Sequence, residues 1–354
     1  MKMWKKINII YFKVLIIVKI INIKTYKYLI NINILLYEYY FLLSILLKIN
    51  MSFFNIEVII QIILVLFIFY FSIKKEKLTL GGGYSALFIG TIISFAGYEY
   101  MIILFSFFIS SIKATDIHKK IKFEKLGKTY SKESKRTSYQ VLCKGLYPSL
   151  ICLIIYCLNS GKLLLLDVFD TELDFIKFLY GSYIGFFCSA NADTWASELG
   201  INSSNDPILL INFNKVPKGI NGAVSVYGTI CSILGGLFIT FMTVLSCFLR
   251  YNITLMNYDI NDIYKVFFKV FLIGGFIGFI GSLIDSFLGE IMQVSYYDIN
   301  KKCIVDKEDY EKMIKNKENY IKVYGTDVLN NSQINLITGI ITSIFSGILF
   351  TYIL

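Results

Sequence analysis

The chain has 354 residues, of which 56% are hydrophobic and 17% charged, where an ordinary soluble domain carries about 25% charge. Pro occurs only 3 times, while Phe and Tyr number 30 and 26, a balance that excludes a disordered, collagen-like or disulfide-scaffold chain. The formal charge is +10, yet half of the 60 charged residues fall in segments 74–77, 113–136 and 298–327. The remainder consists of long runs of Ile, Leu, Phe, Val, Gly and Ser. Peptide groups in hydrocarbon find no water, so such a chain crosses a bilayer only as helices or as a closed barrel. Barrel strands alternate apolar and polar residues over about ten positions. The runs here are continuous and approach the roughly 20 residues that a spanning helix needs. The expected fold class is therefore all-α: a multi-pass transmembrane helix bundle of about 8–9 apolar spans.

Residues 1–50 form a compositionally biased extension rich in Ile, Asn, Lys, Tyr and Leu, with no Gly and no Pro. It contains apolar stretches 7–23 and 28–47. The first follows Lys2, Lys5 and Lys6 and reads equally as a signal-like segment or as a span. A polytopic membrane domain occupies 51–354, with spans expected at 51–73, 80–112, 141–159, 176–193, 220–249, 266–290 and 333–353. Stretch 80–112 is long enough for two short crossings with a break near Ala96-Gly97-Tyr98-Glu99. Lys and Arg in short loops set orientation. Segment 113–136, with Lys113, Lys119, Lys120 and Arg136 among its cations, is assigned to the cytoplasm, as are loop 194–219 and segment 298–327. Loop 160–175, with Asp167, Asp170, Glu172 and Asp174, suits the opposite side. The charged segments read as solvated faces; their basic residues follow topology and come with no recognisable nucleic-acid module, so no nucleic-acid partner is expected.

The 7 cysteines form no Cys-x-x-Cys pair, and the single His118 lies in the basic segment, which speaks against a His-based metal site or a Ser-His-Asp triad. The carboxylates are more informative, because an acidic group in a membrane helix is costly. Two stretches carry them in similar settings. Gly181, Gly185 and Ser189 lead to Asp193 and Glu198; Gly274, Gly278 and Ser282 lead to Asp285 and Glu290. This is an internal repeat, and the assigned topology makes its two helices parallel. Small residues four apart let helix backbones approach closely in lipid, so Asp193 and Asp285 ride on packing faces near the cytoplasmic mouth. Two aspartates brought together there suit a divalent cation such as Mg²⁺, which takes one or two carboxylates plus substrate phosphate oxygens. A carboxylate near a helix end also reaches interfacial water at little cost, so the packing reading stays open. Between the repeats, Lys215, Lys218, Gly219, Asn221 and Gly222 offer positive charge and backbone N–H groups of the kind that hold phosphate, although no Walker A spacing is present. Interfacial lysines in a turn are the competing reading.

At these residues the chain resembles the transmembrane protein 19 family, integral membrane proteins that include phytyl-phosphate kinases. The matching segments are 192–200 (ADTWASELG), 216–225 (VPKGINGAVS) and 281–289 (GSLIDSFLG), supported by 136–145 and 329–335. The likeness covers roughly 75–354. A weaker similarity joins Asp193-Thr-Trp-Ala-Ser to polyprenol kinases and related CTP-using lipid enzymes. The resemblance implies phosphoryl transfer from a nucleoside triphosphate to an isoprenyl (phytyl-like) monophosphate at the membrane face. It implies Asp193, Glu198 and Asp285 as the acidic site, with Mg²⁺ on Asp193 and Asp285, and Lys215, Lys218, Gly219, Asn221 and Gly222 on phosphates. The chain departs from the family pattern at Glu290 (usually Ala), Asn330 (usually Asp) and Lys144 (usually Asn). A transporter or channel using Asp193 and Asp285 as ligands, or a membrane subunit without chemistry, are the other readings.

Overall fold

The computed structural model describes residues 56–126, 135–159, 173–251, 260–299, 303–306 and 320–354, together with Val168. The apolar stretches at 7–23 and 28–47, the loop acids Asp167, Asp170 and Glu172, and most lysines of 298–327 lie outside them. Among the described residues there are eight α-helices: α1 (Ile56–Lys74), α2 (Leu80–Ala96), α3 (Tyr98–Leu126), α4 (Ser138–Asn159), α5 (Asp174–Leu199), α6 (Val226–Tyr251), α7 (Ile260–Met292) and α8 (Asn331–Ile353). Strands β1 (Ser295–Asp298), β2 (Cys303–Asp306) and β3 (Tyr320–Tyr324) form an antiparallel sheet in the order β2-β1-β3.

Stretch 80–112 breaks where its sequence predicts. Thr79 caps α2, its Oγ1 accepting from Gly82 N at 3.0 Å, and Gly97 ends it at φ 124°, a conformation that costs glycine least. The helix after the break is longer than expected. α3 runs on to Leu126, through Lys113 and Asp116, which the sequence placed in a loop. The reason is that Asp116 leaves the apolar zone on a helix and pairs with Lys77 Nζ at 2.5 Å. A second difference is the sheet, which takes up part of a segment read only as a solvated face. Its short runs of Tyr, Ile and Val pair across strands, as β-branched and aromatic residues favour.

Six helices, α1, α3, α4, α6, α7 and α8, are long and apolar enough to cross a membrane; α2 is apolar but spans 17 residues. α5 stands apart because it meets protein, not lipid. It is buried without interruption from Leu179 to Ala192, so Gly, Ser, Asn and Tyr replace Leu and Ile. α1 shows the opposite pattern. It buries Val58, Gln61, Val65 and Ser72 along one stripe and exposes Ile59, Ile63, Leu66, Phe67 and Tyr70, as a helix at the lipid boundary does.

Small residues set how close the neighbours of α5 come. A Cβ on Gly185 would lie 2.2 Å from Ser346 Cβ of α8, and one on Gly281 of α7 would lie 2.3 Å from Ser189 Oγ. On α6, a Cβ on Gly236 would lie 2.1 Å from the Gly274 carbonyl oxygen of α7. At these distances only hydrogen fits, and backbone dispersion contacts replace side-chain packing. Polar cross-links add direction. Asn191 Nδ2 donates to Gly235 O at 2.8 Å while its Oδ1 accepts from Ser110 Oγ at 2.6 Å, tying α5 to α6 and α3. Tyr183 donates to Tyr100 O at 2.7 Å, and Tyr180 donates to the buried Glu99.

Candidate functional site

The close approach at Gly281 and Ser189 decides what happens one turn later on both helices. Four residues on, Asp193 and Asp285 sit side by side, their carboxyl groups in contact, with Thr338 of α8 against Asp285. The order of these contacts also shows that α5 and α7 run in the same direction here. Asp193 is half-buried, whereas Asp285 is buried and its Oδ2 has no hydrogen-bond partner among the described residues. Lys144 of α4 interacts electrostatically with this group, most strongly with Asp193 and also with Asp285 and Glu198, and Arg136 is its neighbouring like charge. Glu198 is oriented by Thr115, whose hydroxyl donates to Oε1 at 2.9 Å.

Asp193, Glu198, Lys144, Thr115 and Arg136 line a cavity of about 380 Å³, within the range of small-molecule sites. Asp193, Thr194, Ser197 and Glu198 of α5 line it beside Gln140, Lys144 and Gly145 of α4, Thr115 of α3, and Asn331, Ser332 and Asn335 of α8. Lys77 and Arg136 complete the polar rim. Backbone bonds hold those two neighbours together: Arg136 N donates to Lys77 O at 3.1 Å, and Thr79 N donates to Arg136 O at 3.0 Å. The helix starts at the rim are capped by their own side chains. Thr137 and Gln140 exchange bonds at α4, as do Asn330 and Gln333 at α8. Asn330, which stands where the resembling family usually has Asp, is thus a helix cap. Away from the rim the wall becomes apolar, with Val65, Ile68 and Phe69 of α1, Leu87 of α2, and Phe105, Phe108 and Ile112 of α3.

The residues marked on the sequence divide into two groups. Asp193, Glu198 and Asp285 come together, Asp193 and Glu198 in the cavity lining and Asp285 directly behind Asp193. Lys215, Lys218, Gly219, Asn221 and Gly222 do not line this cavity, because most of them hold their own loop in place. Lys218 Nζ donates to the carbonyls of Ile201 and Ser203. Asn221 donates through N to Ser295 Oγ at 3.1 Å and through Nδ2 to Val294 O at 3.0 Å. Gly222, at φ 79°, lies so close to α7 that a Cβ would be 2.4 Å from Glu290 N. Gly219, at φ 97°, packs on Ile304 of β2, and Lys215 is solvent-exposed. Glu290, another departure from the family pattern, accepts from Leu210 N at 2.7 Å and Ile211 N at 3.2 Å and so anchors this loop.

Sequence reasoning missed Lys144, Gln140 and Asn335 as cavity residues. The available signal for Lys144 was a lysine placed inside an apolar span next to Gly145, where a charge needs a partner. Among the described residues no three His, Cys, Asp or Glu side chains form a ready-made metal cage. The acidic pair thus offers a partial set of oxygen ligands, to be completed by those of a bound molecule.

Similarity to known proteins agrees with this architecture. The profile of the integral membrane protein family DUF92 matches residues 63–343. Protein PGR of Arabidopsis thaliana is 30% identical over 297 residues, covering 84% of this chain and 97% of that protein. An uncharacterized membrane protein of Methanocaldococcus jannaschii is 29% identical over 201 residues, or 56% of this chain and 67% of its own. No solved structure matches significantly. The matched segment contains the α5 and α7 aspartates, Lys144 and the rim of the cavity, and on this ground the chain belongs to the DUF92 family of integral membrane proteins.

Proposed function

We propose that the protein is a membrane phosphotransferase that moves a phosphoryl group from a nucleoside triphosphate to an isoprenyl (phytyl-like) monophosphate. One observation carries the reading: a single cavity joins a rim of carboxylates and cations to an apolar wall. That combination suits an amphiphile with a phosphate head and a hydrocarbon tail. The tail would lie against Val65, Phe69, Leu87, Phe105 and Phe108. Lys144 and Arg136 would draw the phosphate oxygens to the rim, the part that the sequence suggested for Lys215 and Lys218. Arg suits this work because its planar guanidinium matches phosphate geometry.

The acidic pair fits a divalent cation. Two carboxyl groups are in contact, and among the described residues the buried Asp285 Oδ2 has no hydrogen-bond partner. Asp193 and Asp285 would hold Mg²⁺, with phosphate oxygens as further ligands. When bound, the ion would offset the negative charge on the transferred phosphoryl group. The protein's share is positioning and charge, which is most of what phosphoryl transfer asks of an enzyme. Glu198, held by Thr115, would help orient Lys144 electrostatically and act as a positioning residue.

The test is to assay the purified protein in detergent with prenyl monophosphates and radiolabelled CTP or ATP. Label is expected in a prenyl diphosphate, and Asp193→Asn is expected to abolish it. No labelled lipid with either nucleotide, or equal activity in Asp193→Asn, would overturn the proposal.

A further inference from the structure

Away from the cavity, the loop between α5 and α6 ends in a tip whose side chains run against the usual rule for water-facing turns. Phe213 is 71% exposed and Ile211 52% exposed. The tip is rigidly held. Leu209 N donates to Asn214 O at 3.0 Å, Phe213 N to Leu209 O at 3.1 Å, and Asn214 N to Asn212 Oδ1 at 3.0 Å. Phe213 itself sits at φ 56°, a left-handed conformation uncommon for an aromatic residue. A rigid turn that spends backbone strain to present Phe and Ile outward calls for a surface to receive them.

Its position names that surface. The Glu290 carboxylate accepts from Leu210 N and Ile211 N, which sets the tip at the level of the last turn of α7. On the last two turns of α7, Phe287 and Ile291 are also exposed, at 47% and 38%, as part of a helix apolar enough to span the bilayer. The tip therefore prolongs the lipid-facing side of α7 at its end. Lys215, exposed two residues beyond Phe213, supplies positive charge where headgroup phosphates lie. We infer that the 208–215 turn is an interfacial anchor, with Ile211 and Phe213 inserted at the boundary between headgroups and acyl chains and Lys215 on anionic headgroups. This does not depend on the catalytic reading.

Full-length protein in vesicles containing anionic lipids brominated near the top of the acyl chain provides the test. The added emission of Phe213→Trp, taken over the parent protein's own tryptophans, is expected to be blue-shifted, to lose most of its intensity to the brominated lipid, and to resist aqueous iodide. Ile211→Trp repeats the reading at a neighbouring position. Ser204→Trp, on an exposed part of the same loop, is expected to show the reverse. Lys215→Glu placed in the Phe213→Trp background is expected to weaken the bromine quenching in anionic vesicles and leave it unchanged in zwitterionic ones. Iodide quenching at 213 and 211 would overturn the inference by placing the tip in water. Protection from both quenchers would overturn it by placing the tip against protein. Equal bromine quenching with and without Lys215 would overturn the headgroup contact.

Discussion

Replacing Asp285 by Asn removes one charge from the acidic pair while keeping its shape, and the structure predicts opposite effects with and without a divalent cation. Asp193, Asp285 and Glu198 lie within electrostatic range of Lys144. When both aspartates are ionised, two carboxylates in contact repel by about 4 kcal/mol at 4 Å and an effective dielectric constant of 20, and Lys144 offsets part of that. In EDTA, at a pH alkaline enough to ionise both, Asp285→Asn is therefore expected to melt higher than the parent. Adding Mg²⁺ at a hundredfold excess over its dissociation constant stabilises the parent by about 2.7 kcal/mol, or about 4 °C in a chain of 354 residues. The variant is expected to gain little, so the order of the two melting temperatures reverses. Scanning fluorimetry of both proteins in one detergent measures this. An equal Mg²⁺-induced shift in the two proteins would refute the metal assignment. A variant that melts lower in EDTA would refute the electrostatic reasoning.

Three further outcomes follow from the packing and the rim. Gly185→Leu drives a side chain into Ser346, where even a Cβ would come within 2.2 Å; it should cost about 3 kcal/mol or more, and it should lower the melting temperature without altering substrate selectivity in whatever fraction stays folded. Lys144→Met and Lys218→Met should separate in kinetics, the first raising the KM for the phosphate substrate about tenfold or more, as loss of a charged hydrogen bond of about 1.5–3 kcal/mol implies, and the second leaving KM unchanged because Lys218 is engaged with Ile201 and Ser203 carbonyls. Glu290→Ala removes the acceptor for Leu210 N and Ile211 N, and hydrogen exchange should speed up at those two amides by about tenfold, with the α5–α7 contact unchanged.

Much of the bundle could be read from residue spacing, because the signals were local. Gly97 marked a helix break, and small residues four apart from Gly181 to Ser189 marked a helix that others pack against closely. The same spacing on the second stretch placed Asp285 against Asp193. What could not be read depended on partners far apart in the chain. The Lys218 and Gly222 pattern looks like a phosphate loop until Ser203 and Glu290 are known to occupy its donors and its space. Lys113 and Asp116 look like a loop until Lys77 is known to face Asp116 across a continuing helix. The strands after α7 carried short runs of Tyr, Ile and Val, but flanking Lys and Glu obscured that pattern.

The position of Lys144 shows why the site lies where it does. In a membrane bundle, helices at the boundary meet lipid on one side and must stay apolar there, as α1 does. A helix enclosed by others, like α5, is free to carry Asn191, Asp193 and Glu198 around its circumference, since each polar group then meets protein or the cavity. The enclosed helix must also be narrow, which selects Gly and Ser and brings its neighbours' backbones near. That nearness lets α7 bring Asp285 into contact with Asp193, while α4 brings Lys144 within electrostatic range of both. The helix that packs most tightly is thereby the one best able to hold charge, and the rim of the cavity forms where its last turns emerge from the bundle.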